Sequence, residues 1–359
     1  MWWILLLSCS GEEPIDSPYA TPDLKGPFEA VAYETSLESR SGLSLPLEVW
    51  YPTTTPKGED LYLYGDFFSG EAFVDGPAAC ETPRPVVVFS HGNQGLRYQS
   101  FFLSEWLVQH GYIVLAPDHV YNTLVDWMEE RLGEVGLRRP LDIADSFDWL
   151  LEQSADSGSP LSGCVDPEAG YAVMGHSFGG YTALAVGGAM LDLNALSEFC
   201  GDDRGWVCEF HHYYWDEHPE TSTLDLSDSR TWATIPLAPG GVEAFGDRLS
   251  DIEVPALVMG ATNDTACTMD GQVRPAFEGI DSTPSYLAEL LGGDHFSFTL
   301  LCDLFPIESY CDGDSLPTED AFPALQVSIN AFLDVARGEE RSADWLPLED
   351  DLLLWEAAD

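Results

Sequence analysis

A chain of 359 residues that is 45% hydrophobic, with 11 Trp and 18 Phe, can bury a large core and is not disordered. Asp and Glu total 62 against 14 Lys and Arg, a formal net charge of −48, and repulsion from phosphate argues against nucleic acid or an anionic membrane as partner. Only Lys25 and Lys57 are lysines, a balance that suits a salty medium, where counterions screen self-repulsion, or an acidic extracellular protein.

The chain starts Met1-Trp2-Trp3-Ile4-Leu5-Leu6-Leu7-Ser8-Cys9-Ser10-Gly11, a short apolar run ending in small residues without a positive region before it. Leu6-Leu7-Ser8-Cys9 resembles the lipobox of bacterial lipoproteins, so Cys9 is a lipidation candidate and a possible point of membrane attachment. An ordinary truncated signal or a mis-set start is the alternative. Residues 12–27 are polar and Pro-rich and read as a tether. Residues 1–27 are therefore a signal-like segment and tether, and 28–359 a single domain, expected to be exported and monomeric. No later run is apolar for long enough to span a bilayer.

Phe28 to Thr35 and Leu43 to Tyr51 read as strands, and residues 53–85 as a loop-rich stretch. Pro85-Val86-Val87-Val88-Phe89 has the unbroken β-branched character of a strand buried on both faces. A helix is predicted from Gln99 to His110, a strand at Tyr112 to Ala116, and a helix from Leu141 to Gln153. Tyr171 to Met174 is a strand, and Phe178 to Met190 a helix of small residues. Strands follow at Ile235 to Ala238, Ala256 to Met259 and Tyr286 to Leu291, and a closing helix at Phe322 to Val335. This alternation implies an α/β fold with a mostly parallel central sheet flanked by helices, and antiparallel strands at its N-terminal side. Ser197 to Ser229 fits the alternation poorly and reads as an excursion or cap.

Apart from Cys9 there are Cys80, Cys164, Cys200, Cys208, Cys267, Cys302 and Cys311. None forms a CxxC pair or a Cys/His cluster of zinc spacing, so no metal site is expected. In an exported chain most should be disulfides. Cys200 with Cys208 is the natural local pair, Cys302 is open to Cys267 or Cys311, and the odd count leaves at least one thiol over.

Gly175-His176-Ser177-Phe178-Gly179 matches G-x-S-x-G between an apolar strand and a helix, the context in which a strained strand-to-helix turn exposes a nucleophilic serine. Ser90-His91-Gly92-Asn93 follows an earlier strand, in the loop whose backbone N–H groups complete an oxyanion hole. The two donors are assigned to Asn93 and Phe178. The acid and base should follow in the order Asp then His. Asp264 lies just past the Ala256 strand, with Asp270 the fallback, and Gly292-Gly293-Asp294-His295 places His295 after the final strand. His91 and His176 read as structural; His110 and His119 come too early, and His211, His212 and His218 lie in the excursion. The catalytic set is thus Ser177, Asp264 and His295, acting through an acyl-enzyme with no metal or organic cofactor.

Pro85 to Gly92, Gly111 to His119, Gly175 to Tyr181 and His295-Phe296-Ser297-Phe298 resemble the predicted dienelactone hydrolase family of the α/β-hydrolase superfamily. That family is similar to plasma-type platelet-activating-factor acetylhydrolases and, more distantly, to polyester-degrading cutinases. The resemblance implies carboxylic-ester hydrolysis, with Ser177, Asp264 and His295 on the triad positions and Asn93 and Phe178 on the oxyanion positions. True dienelactone hydrolases use cysteine where this chain has Ser177, and the family's Pro after the acid is replaced by Thr265-Ala266-Cys267. A small-molecule ester or a lipid is the expected substrate; a lipase, an acetylhydrolase-like phospholipase, a polyester hydrolase and a non-catalytic surface lipoprotein are the alternatives. Phe210, Tyr213, Tyr214 and Trp215 form an aromatic cluster that is either a wall over the site or a subdomain packing on itself.

Overall fold

The computed structural model describes residues 25–201, 205–215, 218, 220–305, 311, 315–338, 346 and 351–358. Cys9 and the rest of the N-terminal segment expected to be a signal lie outside the described residues.

The N-terminal strands β1 (Glu29–Glu38) and β2 (Ser44–Thr53) pair antiparallel, with Glu29 opposite Thr53 and Glu38 opposite Ser44. Within the stretch expected to be loop, β3 (Leu61–Tyr64) and β4 (Phe68–Phe73) make a second hairpin. Tertiary contacts rather than local pattern hold it. The Tyr64 ring stacks on Phe101 with centroids 4.2 Å apart, and its hydroxyl accepts from Trp50 Nε1 and donates to Glu105 Oε1, both at 2.7 Å.

The alternation then runs β5 (Val86–Ser90), α1 (Phe101–Gln109), β6 (Ile113–Pro117), α2 (Leu132–Ala155), β7 (Tyr171–His176) and α3 (Phe178–Val186). Next come β8 (Leu191–Asp192), α4 (Leu193–Cys200), α5 (Cys208–Trp215), β9 (Thr223–Leu224) and β10 (Thr231–Leu237). The chain closes with β11 (Ala256–Ala261), α6 (Arg274–Glu278), β12 (Ser285–Leu290), α7 (Leu301–Leu304), α8 (Thr318–Ala336) and β13 (Leu353–Ala357).

Eleven strands form one sheet in the order β13-β12-β11-β10-β7-β5-β6-β2-β1-β4-β3. The six from β12 to β6 are mutually parallel, while β2 pairs antiparallel with β6 and β13 antiparallel with β12. Every residue of β5, β6, β7 and β11 is buried, because helices cover both faces. Val87 and Phe89 pack toward Leu103 and Leu107 of α1 and Leu325 and Phe332 of α8. Val86 and Val88 point the other way, toward Ile143, Phe147 and Leu150 of α2. This is the α/β-hydrolase fold.

Two differences from the sequence reading have physical causes. The α2 helix begins at Leu132, nine residues earlier than Leu141, and runs through Pro140. A proline there leaves the Gly136 carbonyl without its helical donor. The Tyr181 hydroxyl supplies one, donating to Gly136 O at 3.2 Å. At the far edge, β12 is not the last strand. A short C-terminal run returns as β13, with Leu353 buried against the sheet.

Three disulfides are present among the described residues, Cys80–Cys164, Cys200–Cys208 and Cys302–Cys311, and Cys267 is a buried free thiol. The partner of Cys302 is therefore Cys311. No described helix is long and apolar enough to cross a membrane. The Cys80–Cys164 bridge closes a separation of 84 residues and restricts the unfolded chain most. Replacing both cysteines by serine should lower unfolding free energy by roughly 2–5 kcal/mol in urea titration; an unchanged midpoint would contradict this.

Candidate active site

The turn from β7 into α3 is built around one strained residue. Ser177 sits at φ 59°, ψ −116°, a left-handed backbone that non-glycine residues rarely adopt. Its N–H donates to Leu237 O at 2.9 Å, and its carbonyl accepts from Gly180 N at 2.8 Å and Gly240 N at 3.1 Å. Glycine is required on both sides. A Cβ at Gly175 would lie 2.2 Å from the Gly179 carbonyl oxygen, and one at Gly179 would lie 1.9 Å from the Ser90 carbonyl oxygen.

The loop after β12 brings His295 to this serine. Asp294 caps the short turn His295–Phe298, accepting from Phe296 N at 2.9 Å, while its own N–H donates to Ser297 Oγ at 2.9 Å. His295 Nε2 lies 3.0 Å from Ser177 Oγ, and its Nδ1 lies 2.7 Å from Asp264 Oδ2. The other oxygen, Asp264 Oδ1, accepts from the Ala266 and Cys267 N–H groups, each at 2.8 Å. Those two bonds turn the loop that departs from a proline-containing pattern into a cradle for the carboxylate. Burial opposes charge on His295, but hydrogen bonds with Asp264 and the Cys267 thiol prevail and hold its pKa well above that of free imidazole. Asp270 lies one short turn further on, within Met269–Val273, and the carboxylate that meets His295 is that of Asp264.

The remaining histidines of the centre are structural. His176 Nε2 donates to the His295 carbonyl at 2.8 Å, while Gln99 Nε2 donates to His176 Nδ1 at 3.2 Å. Gln99 Oε1 in turn accepts from Gly92 N at 3.2 Å. One relay of side chains thus spans the β5 loop, the serine turn and the His295 loop. His91 Nε2 accepts from His119 N at 3.0 Å, and His119 Nδ1 meets Asp142 Oδ2 at 2.9 Å. His91, His119 and His176 are fully buried, and burial, their first cause, holds all three well below the usual histidine pKa. The role of Gln99 was not visible in the sequence, since nothing local distinguishes it from the first residue of a helix.

A cleft of about 450 Å³ opens over Ser177 and His295, bordered by Gly92, Asn93 and Phe178. Leu132, Phe199, Trp206 and Val207 give it an apolar wall. The excursion therefore does contribute to the site, though through Phe199 and Trp206 rather than the aromatic cluster named from the sequence. Phe210 is fully buried under Phe178 and Tyr181, and Tyr213 is half exposed on α5. Cys200–Cys208 ties the end of α4 to the start of α5 and so fixes the segment carrying Trp206.

No family model matches the chain. The chain is similar to cutinases. It is 26% identical over 279 residues to Cutinase est2 of Thermobifida alba, covering 77% of this chain and 70% of that protein. Cutinase est1 of the same organism gives 26% over 279 residues, 77% of this chain and 71% of that protein. Cutinase 2 of Thermobifida cellulosilytica gives 24% over 214 residues, 59% and 60%. At this level the likeness marks an α/β-hydrolase superfamily member with ester-hydrolysing relatives.

The crowding at Gly179 generates a direct test. Gly179→Ala should cost about 2–4 kcal/mol, because its Cβ meets a backbone carbonyl that cannot rotate away. Thermal unfolding would read this, and a melting temperature within about 2 °C of the parent would contradict it.

Proposed function

We propose that this chain is a serine esterase that cleaves neutral carboxylic esters through an acyl-enzyme on Ser177. The observation that carries the reading is the continuous hydrogen-bonded line from Asp264 through His295 to Ser177 Oγ. With Nδ1–H donating to Asp264, Nε2 of His295 presents a lone pair to the serine hydroxyl. His295 takes that proton as Oγ attacks the ester carbonyl, and the resulting imidazolium is stabilised by the Asp264 carboxylate. The developing oxyanion is held by the backbone N–H groups of Asn93 and Phe178, which border the cleft. His295 then protonates the leaving alkoxide. In the second half it deprotonates water, which attacks the acyl carbonyl and restores Ser177.

The apolar wall of Leu132, Phe199, Trp206 and Val207 favours an uncharged, apolar acyl group. The net charge of −48 disfavours anionic substrates arriving from solution. The relatives named as cutinases support an ester as the substrate class. Three disulfides agree with an oxidising compartment, and we place the enzyme outside the cytoplasm, with Cys9 as the candidate lipid anchor.

Turnover of p-nitrophenyl esters of increasing acyl length tests the reading. Wild-type protein should hydrolyse them and Ser177→Ala should not. Asp264→Asn should lower kcat by about 10³–10⁴-fold, as expected for loss of the correct imidazole tautomer. Asp270→Asn should remain within about 3-fold of wild type, since a surface change away from the site seldom matters more. Equal losses in the two Asp variants would contradict the assignment of the acid.

Activity requires neutral His295, and the folded protein raises its pKa. As pH falls, kcat/KM should therefore decline through one ionisation whose midpoint lies above the 6.5 of free imidazole. A midpoint at or below 6.5 would contradict the assigned environment.

A further inference from the structure

Arg139 is a buried cation that the proposed mechanism does not use. It lies on α2, its side chain has no solvent exposure, and no carboxylate contacts its guanidinium among the described residues. Instead its donors reach neutral acceptors around the serine turn. Nη2 donates to the His91 carbonyl and, at 3.1 Å, to Ser90 Oγ. Nη1 donates to Asn122 Oδ1 at 2.5 Å, and Nε donates to Thr182 Oγ1 at 3.1 Å. The guanidinium carbon also sits 4.4 Å from the centroid of the Phe178 ring.

These partners lie on three segments: the end of β5 with the residue after it, the stretch past β6 that holds Asn122, and α3, which holds Thr182. Ser90 and His91 begin the β5 loop, and Asn122 Nδ2 donates to Asn93 Oδ1 at 2.8 Å, so that one amide carries the guanidinium's hold to the Asn93 side chain. On the other side, the Thr182 hydroxyl that accepts from Nε itself donates to the Phe178 carbonyl at 3.0 Å. A planar fork with fixed donor directions suits this task, whereas a lysine ammonium cannot reach four separated acceptors at once. Asp142 acts on this charge only from beyond contact distance, and burying a guanidinium with no carboxylate against it is costly, so its retention calls for a return.

We propose that Arg139 is a positioning residue that clamps the Asn93 and Phe178 halves of the oxyanion hole at a fixed separation, while its buried positive charge favours the oxyanion that forms between them. This rests on the esterase reading above. Because the oxyanion exists only after attack, the contribution falls on the transition state and not on substrate binding. Arg139 touches no reacting atom and no member of the Ser177–His295–Asp264 line, so it acts on them only through its charge: variants that keep the charge leave the titration of His295 in place, and removing the charge raises it.

The test is steady-state kinetics of Arg139→Lys, Arg139→Met and Asn122→Ala with a p-nitrophenyl ester, each across pH and at a temperature where circular dichroism shows a folded protein. We expect kcat to fall by about 30–300-fold in Arg139→Met, less than the roughly 10²–10³-fold of losing an oxyanion donor outright. Arg139→Lys should fall less, with partial rescue by its charge. KM should stay within about 3-fold in all three variants, and the acid limb of kcat/KM should not move in Arg139→Lys or Asn122→Ala, which keep the charge. Arg139 has several buried partners, so its variants are the ones at risk of not folding. Asn122→Ala removes only the two bonds of the Arg139–Asn122–Asn93 relay, leaving the other Arg139 contacts in place, and should by itself lower kcat by about 10-fold. A folded Asn122→Ala with unchanged kcat would overturn the proposal, as would loss through KM alone or a shifted acid limb in Asn122→Ala. A wild-type protein without ester turnover would instead refute the esterase reading, so the two failures are distinguishable.

Discussion

The arrangement of this protein depends on how closely the start of α3 approaches the end of β5. The Gly179 α-carbon lies so near the Ser90 carbonyl that no side chain fits between them, and this contact forces Ser177 into its left-handed backbone. The strain, on the order of 1–3 kcal/mol for such a residue, persists because the flanking strands are wholly buried and held on both sides. The same approach sets the Asn93 loop beside the N-terminus of α3. Strain at the serine and the approach of the Asn93 loop to Phe178 are thus two consequences of one packing constraint.

Around this contact the interior is polar and almost completely cross-linked. Gln99 and His176 join the β5 loop to the His295 loop, and Arg139 with Asn122 joins it to α2 and α3. Scarce cations are spent in the same way elsewhere. Arg97 binds Glu34, Glu48 and Asp118 at once, and burial pushes the Glu48 carboxyl up to about 7 despite the Arg97 charge that lowers it. With 14 Lys and Arg against 62 Asp and Glu, arginines organise several of the described buried carboxylates, among them Glu48, Asp118 and Glu289. On the proposed esterase reading, an apolar cleft within so acidic a shell disfavours anionic substrates.

Much of this was legible in the sequence where structure is dictated locally or by burial on two faces. The Val86–Phe89, Ile113–Ala116 and Ala256–Met259 runs read as strands because each is apolar along its whole length. Ser177, Asp264 and His295, which the structure brings within hydrogen-bond reach of one another, were placed by their positions just past strand ends. What escaped depends on distant partners. The β3–β4 hairpin needs Trp50, Phe101 and Glu105 to form, and the first turns of α2 were masked by a Pro140 whose cost Tyr181 offsets from another helix. Cys302 had two partners at plausible spacing, and only the fold separates Cys311 from Cys267. Gln99, Asn122 and Arg139 carry no local signature, because their side-chain hydrogen-bond partners lie between seven and 77 residues away in the chain.

The central claim is that Ser177 is a nucleophile activated in place. Its most direct test is peptide mass spectrometry of the native protein after brief exposure to a fluorophosphonate. The account predicts one phosphonyl adduct per chain, on the peptide that carries Ser177, formed faster as pH rises above the His295 midpoint. A folded protein that remains unmodified, or that carries its adduct on another residue, would contradict it.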